Sequence, residues 1–384
     1  MKTEVVIVGG GPSGLAVSAC LSRFSIPNVI LEREDCYGSL WKKRVYDRVK
    51  LHLAKEFCEL PHMHHPRATH TFMSRDDFVR YLDDYVSHFG LRPLFGKSVE
   101  SATFDSDSRM WAVSARDAAT GEVEEHLSRF LVVATGENAE GILPSFRGLD
   151  GFTGEILHSC HFKSAARFAG KRVLVVGSGN SGMEIAFDLC NYGAQTSISV
   201  RGPFHVLTKE MVYMGMVMLN HVSVQIVDAL VLLMCRFQFG DLSGFGIIRP
   251  SEGPFSLKAK TGRSPVIDVG TLGKIKRGEI KVMKEVAGVA GGEVRFTDGE
   301  TRSFDAIIFA TGYRSTAADW LQDDGGLLNE EGFPKRAFPD HWKGGNGLFF
   351  AGLSRRGLAG VAMDAKKIAE DIKTYQGGPS GRST

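Results

Sequence analysis

None of the six cysteines in this 384-residue chain stands in a C-x-x-C pair, and no cysteine–histidine cluster has zinc-ligand spacing. Cys20, Cys36, Cys58, Cys160, Cys190 and Cys235 are scattered, which suits a reducing compartment. The missing dithiol argues against a flavin disulfide reductase. Neither sign of charge is in excess: 46 basic against 44 acidic residues give no electrostatic case for nucleic acid. An apolar leader with a cleavage site is also absent, so no secretory signal is read and a cytoplasmic chain is expected. The run of about 18 apolar residues that marks a membrane span is missing too. Its nearest approach, residues 211–235, is broken by Asn220, His221, Gln225 and Asp228. That stretch reads as a buried or interfacial helix pair, with peripheral membrane contact, for instance at the endoplasmic reticulum, as the alternative. His62, His64 and His65 lie between Pro61 and Pro66, with no acid or thiol read as their partner, so a polar loop is expected and no metal.

What is present is a phosphate-binding pattern that occurs twice. The apolar run 4–8 passes straight into Gly9-Gly10-Gly11-Pro12-Ser13-Gly14, and helical spacing follows from Leu15. A second strand, 29–31, ends in Glu32. In a strand, G-x-G-x-x-G turn and helix, Gly9 permits the tight turn and Gly11 lets a pyrophosphate approach the backbone. Gly14 allows close helix–strand packing. The open helix end directs N–H groups at the phosphates, and Glu32 stands where a carboxylate holds a ribose. Residues 172–176 lead into the second copy, Gly177-Ser178-Gly179-Asn180-Ser181-Gly182, followed by a helix and a strand ending in Arg201. A guanidinium at that position suits the 2′-phosphate of NADP(H).

Each copy is answered by a strand ending in Ala-Thr-Gly, at Thr135-Gly136 and again at Thr311-Gly312. The expected fold is α/β with two nested dinucleotide-binding (Rossmann-like) domains. Residues 1–165 and 313–376 form a split first domain, 166–312 an inserted second one, and 377–384 a disordered tail. Ser74 and Gly90 bracket an amphipathic helix with Phe78, Leu82, Tyr85, Val86 and Phe89 on one face. A strand at 347–353 leads to a last helix opened by Gly357.

Two such sites in one chain point to a flavoenzyme reduced by NADPH. The acid-ended site suits FAD, with Gly9, Gly11, Pro12, Ser13, Gly14, Glu32, Ser39, Leu40, Trp41, Thr135 and Gly136 around it. The arginine-ended site suits NADPH, with Gly177, Ser178, Gly179, Asn180, Ser181, Gly182, Arg201, Thr311 and Gly312. Lacking a redox dithiol, the flavin would pass electrons to oxygen, a quinone or another protein.

Residues 152–162 fit F-x-G-x-x-x-H-x-x-x-[YF] through Phe152, Gly154, His158 and Phe162. This resembles the identifying sequence of flavin-containing monooxygenases. Phe162 followed by Lys163 separates it from the related Baeyer–Villiger enzymes. The segments 51–61, 134–140, 201–209, 265–270 and 355–358 resemble the plant YUCCA branch. That resemblance implies oxidative decarboxylation of indole-3-pyruvate, a 2-oxo acid, to the auxin indole-3-acetate. It would use NADPH, FAD and O2, through a flavin C4a-(hydro)peroxide. The alternative is N- or S-oxygenation of a small soft nucleophile. His52 replaces the asparagine of the drug-oxidising enzymes, so His52 and His158 are the candidate catalytic residues. His158 is equally read as a packing residue.

Overall fold

The computed structural model describes residues 1–322 and 325–377. Residues 378–384, most of the expected disordered tail, lie outside the described residues.

The first strand, Lys2–Val8, buries Val5 through Val8 because it runs inside a parallel sheet covered on both faces. It pairs in parallel with Asn28–Leu31 on one side and with Val123–Val133 on the other. Leu348–Phe350 pairs in parallel with the end of Val123–Val133, so the chain returns to this sheet after a long excursion. Met110–Asp117 and Lys97–Asp105 extend the sheet antiparallel. The helices Pro12–Ser22 and Gly357–Gly377 pack against each other beside it.

The excursion forms a second unit. Its sheet is all parallel, in the order Ile280–Met283, Gln195–Ser199, Arg172–Val176, Ala306–Phe309, Glu155–His158. The helix Asn180–Asn191 follows the second glycine turn and presents Met183, Ile185, Ala186 and Leu189 to the core. Three antiparallel strands, Val286–Ala290, Glu293–Phe296 and Thr301–Ser303, complete the unit over a separate apolar cluster.

By contact, one unit holds residues 1–44, 54–140 and 313 onward, and the other 45–53 and 141–312. The division differs from the expected boundary at residue 165. Glu155–His158 is an edge strand of the second sheet, paired with Ala306–Phe309, and Phe162 and Phe168 lie in that unit's core. Tyr46 is drawn into the same core, so residues 45–53 go with it.

Residues 211–235 fall on two helices, Lys209–Met218 and Val224–Phe239. Thr208 caps the first through its hydroxyl, which accepts from the Met211 N–H. In the second, Val227, Val231, Cys235 and Phe239 face the core, while Ile226, Leu230, Leu233 and Phe237 stand exposed. Among the described residues no helix is long and apolar enough to cross a membrane. The helix Arg75–Phe89 starts at a capping box between Ser74 and Asp77 and stops at Gly90, whose φ is +61°. Tyr81 joins Phe78, Leu82 and Tyr85 in its buried face, with Val86 and Phe89 half-buried.

Candidate functional site

The first turn is shaped by close approach. A Cβ on Gly14 would lie 1.9 Å from the Gly9 carbonyl oxygen, and Gly9 itself has φ +114° with Ala134 O 2.4 Å from its Cβ position. Gly11, by contrast, has nothing within 4 Å. The two outer glycines are therefore needed for packing, and the middle one leaves room for a ligand. Gly11 also caps the helix Pro12–Ser22 without any side-chain hydrogen bond, which leaves the helix end open to an anion.

A cavity of about 580 Å³ opens over this turn. Every residue expected at the flavin site lines it except Gly14, which lies behind the turn. Glu32 is buried, and its carboxylate accepts from Gly10 N at 2.6 Å and from Glu34 N at 2.9 Å. Burial raises its pKa, and these two backbone bonds oppose that rise. The Thr135 hydroxyl is buried with no hydrogen-bond partner among the described residues, a state that costs about 1–3 kcal/mol unless a ligand completes it. That orphan group, the open helix end and a cavity of this size over the glycine turn fit a dinucleotide such as FAD.

Sequence reasoning missed part of this lining. Lys97, Ser98, Val99 and Glu100 arrive on a strand that carries no motif, and Thr316, Asp319 and Trp320 on a short helix. Gly357 and Leu358 also line the cavity, from the helix entry visible in the sequence.

The second turn repeats the first in the other unit. A Cβ on Gly182 would lie 2.0 Å from Gly177 O, Gly177 has φ +109°, and Gly179 has nothing within 4 Å. Gly179 likewise caps its helix without a side-chain bond. The side chains differ, however. Asn180 accepts from Ile267 N at 2.7 Å and donates to Pro265 O at 3.3 Å, and the Thr311 hydroxyl donates to Ile142 O. These two expected ligand side chains are committed to protein, so the backbone of the turn is what faces outward. Arg201 is exposed just beyond the strand Gln195–Ser199.

His158 is buried, with Nε2 donating to Gly312 O at 3.2 Å and Nδ1 accepting from Cys160 N at 3.2 Å. Burial lowers its pKa, with the Gly312 bond opposing. Phe152 and Phe162 are core residues, and a Cβ on Gly154 would meet Asp305 O at 2.6 Å. The motif over 152–162 is thus a packing signature of the second unit. His52 lies elsewhere in that unit, its Nε2 2.6 Å from Glu184 Oε1. The histidine loop disperses its rings: His62 meets Cys20, His65 meets Cys58 O, and His64 meets Glu59, an acid not read as its partner in the sequence.

The model for flavin-binding monooxygenase-like proteins matches residues 2–325. "Probable indole-3-pyruvate monooxygenase YUCCA10" of Arabidopsis thaliana is 53% identical over 97% of this chain and 98% of its own length. "Indole-3-pyruvate monooxygenase YUCCA6" of the same plant is 47% identical, over 96% of this chain and 90% of that one. The chain belongs to the YUCCA-type flavin-binding monooxygenases. Among solved structures, a flavin-containing monooxygenase from Stenotrophomonas maltophilia superposes with TM-score 0.74 at 22% identity, covering 98% of this chain and 99% of that one. At that identity the likeness concerns the fold, and it matches the two-unit architecture of this YUCCA-type monooxygenase.

Proposed function

We propose that this monooxygenase uses FAD, NADPH and O2 to convert indole-3-pyruvate to indole-3-acetate. The observation that carries the reading is the near-full-length identity to proteins named for that reaction, in a chain that keeps both phosphate turns. Keto acid, O2, NADPH and one proton give the shorter acid, carbon dioxide, water and NADP+. One oxygen atom enters the product and the other leaves as water.

The cavity over Gly9, Gly11, Pro12 and Ser13, with Gly14 packing behind the turn, holds the flavin in this reading. Glu32 is the ribose acceptor, the Thr135 hydroxyl meets the ligand, and Ser39, Leu40, Trp41 and Gly136 complete the walls. When bound, FAD takes a hydride from NADPH and activates oxygen; the protein binds, orients and excludes water. The backbone of 177–182 receives the NADPH pyrophosphate, and the exposed Arg201 receives the 2′-phosphate. His52 serves the reaction. His158 holds Gly312, since both of its ring nitrogens are already engaged. A cytoplasmic enzyme with peripheral membrane contact, at the endoplasmic reticulum, is the favoured placement, supported by the exposed Ile226, Leu230, Leu233 and Phe237.

The test is a stoichiometry. FAD-loaded protein is given NADPH, oxygen and carboxyl-labelled indole-3-pyruvate, and indole-3-acetate, labelled carbon dioxide and NADPH oxidation are counted. Equal yields are expected. Oxygenation of an amine or thioether without carbon dioxide release overturns the proposal, as does NADPH oxidation that yields only hydrogen peroxide.

A further inference from the structure

Glu184 is a carboxylate inside a run that is otherwise apolar, Gly182 to Ala186, and all five residues are buried. Its side chain is 3% exposed, so an unsatisfied charge there would be costly. Two donors reach it from one short segment, residues 45–53. Tyr46 OH donates to Oε2 at 2.5 Å, and His52 Nε2 lies 2.6 Å from Oε1. The same helix face carries Asp188, one turn on, which accepts from Arg48 at 3.4 Å and from Ala165 N at 3.2 Å. Phe187, between them, lies under the Arg48 guanidinium at 4.6 Å. Residues 45–53 are thus laid along the helix that begins at the second glycine turn.

The geometry points to Glu184 as a positioning residue that fixes His52 with its proton on Nε2, leaving Nδ1 as the only ring nitrogen able to exchange a proton. This rests on the reading above that His52 serves the reaction. With Tyr46 donating to Oε2, Glu184 acts as the acceptor, and as a carboxylate it accepts at Oε1 too, from the imidazole nitrogen 2.6 Å away. Tyr46 occupies the second oxygen as a donor, which holds the carboxyl group in one position. A histidine free to adopt either tautomer would present its acceptor at Nδ1 in only part of the population. Tied to Glu184, it presents the same nitrogen in every molecule. The charged groups facing this pair are Arg48 and Asp188, which neutralise each other across the same helix face. The net reaction takes up one proton for each keto acid, so a side chain with one fixed and one exchanging nitrogen has a defined task.

The experiment uses FAD-loaded protein carrying ¹⁵N-histidine, with the His52 signals assigned by their loss in His52→Asn. Long-range ¹H–¹⁵N spectra are followed through a pH titration. The expected result is that Nε2 keeps a protonated shift throughout while Nδ1 is the nitrogen that moves. In Glu184→Gln the side-chain amide can donate to Nε2, so the opposite tautomer is expected to enter. Turnover should then fall about 10-fold or more, as for loss of a charge-assisted bond, with KM for NADPH changed less than about 2-fold. Tyr46→Phe, which keeps the acid, should fall between. If Nε2 is the titrating nitrogen in the unaltered protein, the proposal is overturned, whatever the turnover. If His52→Gln turns over at the full rate, the reading of His52 as a reaction residue fails instead, and the tautomer result stands apart from it. If Glu184→Gln does not fold, the unaltered protein and Tyr46→Phe still decide the question.

Discussion

His158 Nε2 donates to the carbonyl of Gly312 at 3.2 Å, joining residues 154 apart in sequence. The same carbonyl accepts from Ile142 N at 3.0 Å, and a Cβ on Gly141 would fall 2.3 Å from the imidazole ring. One neutral histidine therefore fixes where the strand Ala306–Phe309 hands the chain to the second Ala-Thr-Gly end. The residue that marks the family motif works here through hydrogen bonds to backbone.

This arrangement sets a pH dependence. Burial holds the folded His158 pKa below its ordinary 6.5, so on acidification the unfolded chain takes up the proton first. Its contribution is fully present above about pH 6.5 and is lost as pH falls through the folded value. His158→Asn is expected to lower stability by about 1–3 kcal/mol at pH 8, the range for breaking buried hydrogen bonds. The gap to the unaltered protein should narrow at pH 5.5. Urea unfolding at both pH values checks it; a gap of constant size would refute the coupling.

The two kinds of glycine in each turn should fail differently. Gly14→Ala forces a methyl group to within 1.9 Å of backbone and is expected to prevent flavin retention by displacing the helix. Gly179→Ala meets nothing within 4 Å, so the fold and the bound FAD should be unchanged. Its methyl group would instead stand where a phosphate approaches, raising KM for NADPH about 10-fold or more through loss of backbone contacts. Flavin content together with NADPH kinetics separates the outcomes. A Gly179→Ala protein with unaltered KM would remove the turn from the NADPH site.

The two turns were legible because their chemistry is local: strand, glycines and helix follow one another within about 20 residues. The Glu184–His52 contact spans 132 residues and has no local pattern on the His52 side. A signal did exist at the other end, since an acid in the buried stretch Gly182–Ala186 demands a partner. The contact division departs from the expected boundary for a related reason. Residues 141–165 follow the first Ala-Thr-Gly without interruption, and only pairing with Ala306–Phe309 assigns Glu155–His158 to the second sheet. Thr135 and Thr311 both stand in Ala-Thr-Gly, yet among the described residues one hydroxyl is orphaned and the other donates to Ile142 O. No reading of Ala-Thr-Gly alone distinguishes them.

Arg201 is the residue that should select the nicotinamide cofactor. It is exposed just beyond the strand Gln195–Ser199, where a 2′-phosphate would lie. Arg201→Gln removes a charge-assisted pair of about 1.5–3 kcal/mol, which corresponds to roughly 10- to 100-fold in KM for NADPH. Because NADH carries no 2′-phosphate, its KM should change by less than about 2-fold. Steady-state kinetics with both cofactors give the ratio directly. Equal increases for the two would sink the phosphate role and leave Arg201 a surface cation.

The exposed row on Val224–Phe239 yields the last prediction. Ile226, Leu230, Leu233 and Phe237 recur at intervals of four, three and four, so they share one helix face, and Phe237 is 83% exposed. The opposite face, through Val227, Val231 and Cys235, is already buried in the core, so the row is not needed for folding. Inserting one such side chain into the acyl boundary is worth about 1.5–3 kcal/mol. Leu233→Asp with Phe237→Asp should therefore lower cosedimentation with phosphatidylcholine–phosphatidylserine vesicles by about 10-fold or more. Turnover without vesicles should be unchanged, since neither residue belongs to the cavity over the first glycine turn or to the second glycine turn. Retained vesicle binding by the double variant would assign the contact to another surface. If the unaltered protein did not bind vesicles at all, peripheral membrane contact through this helix would be ruled out.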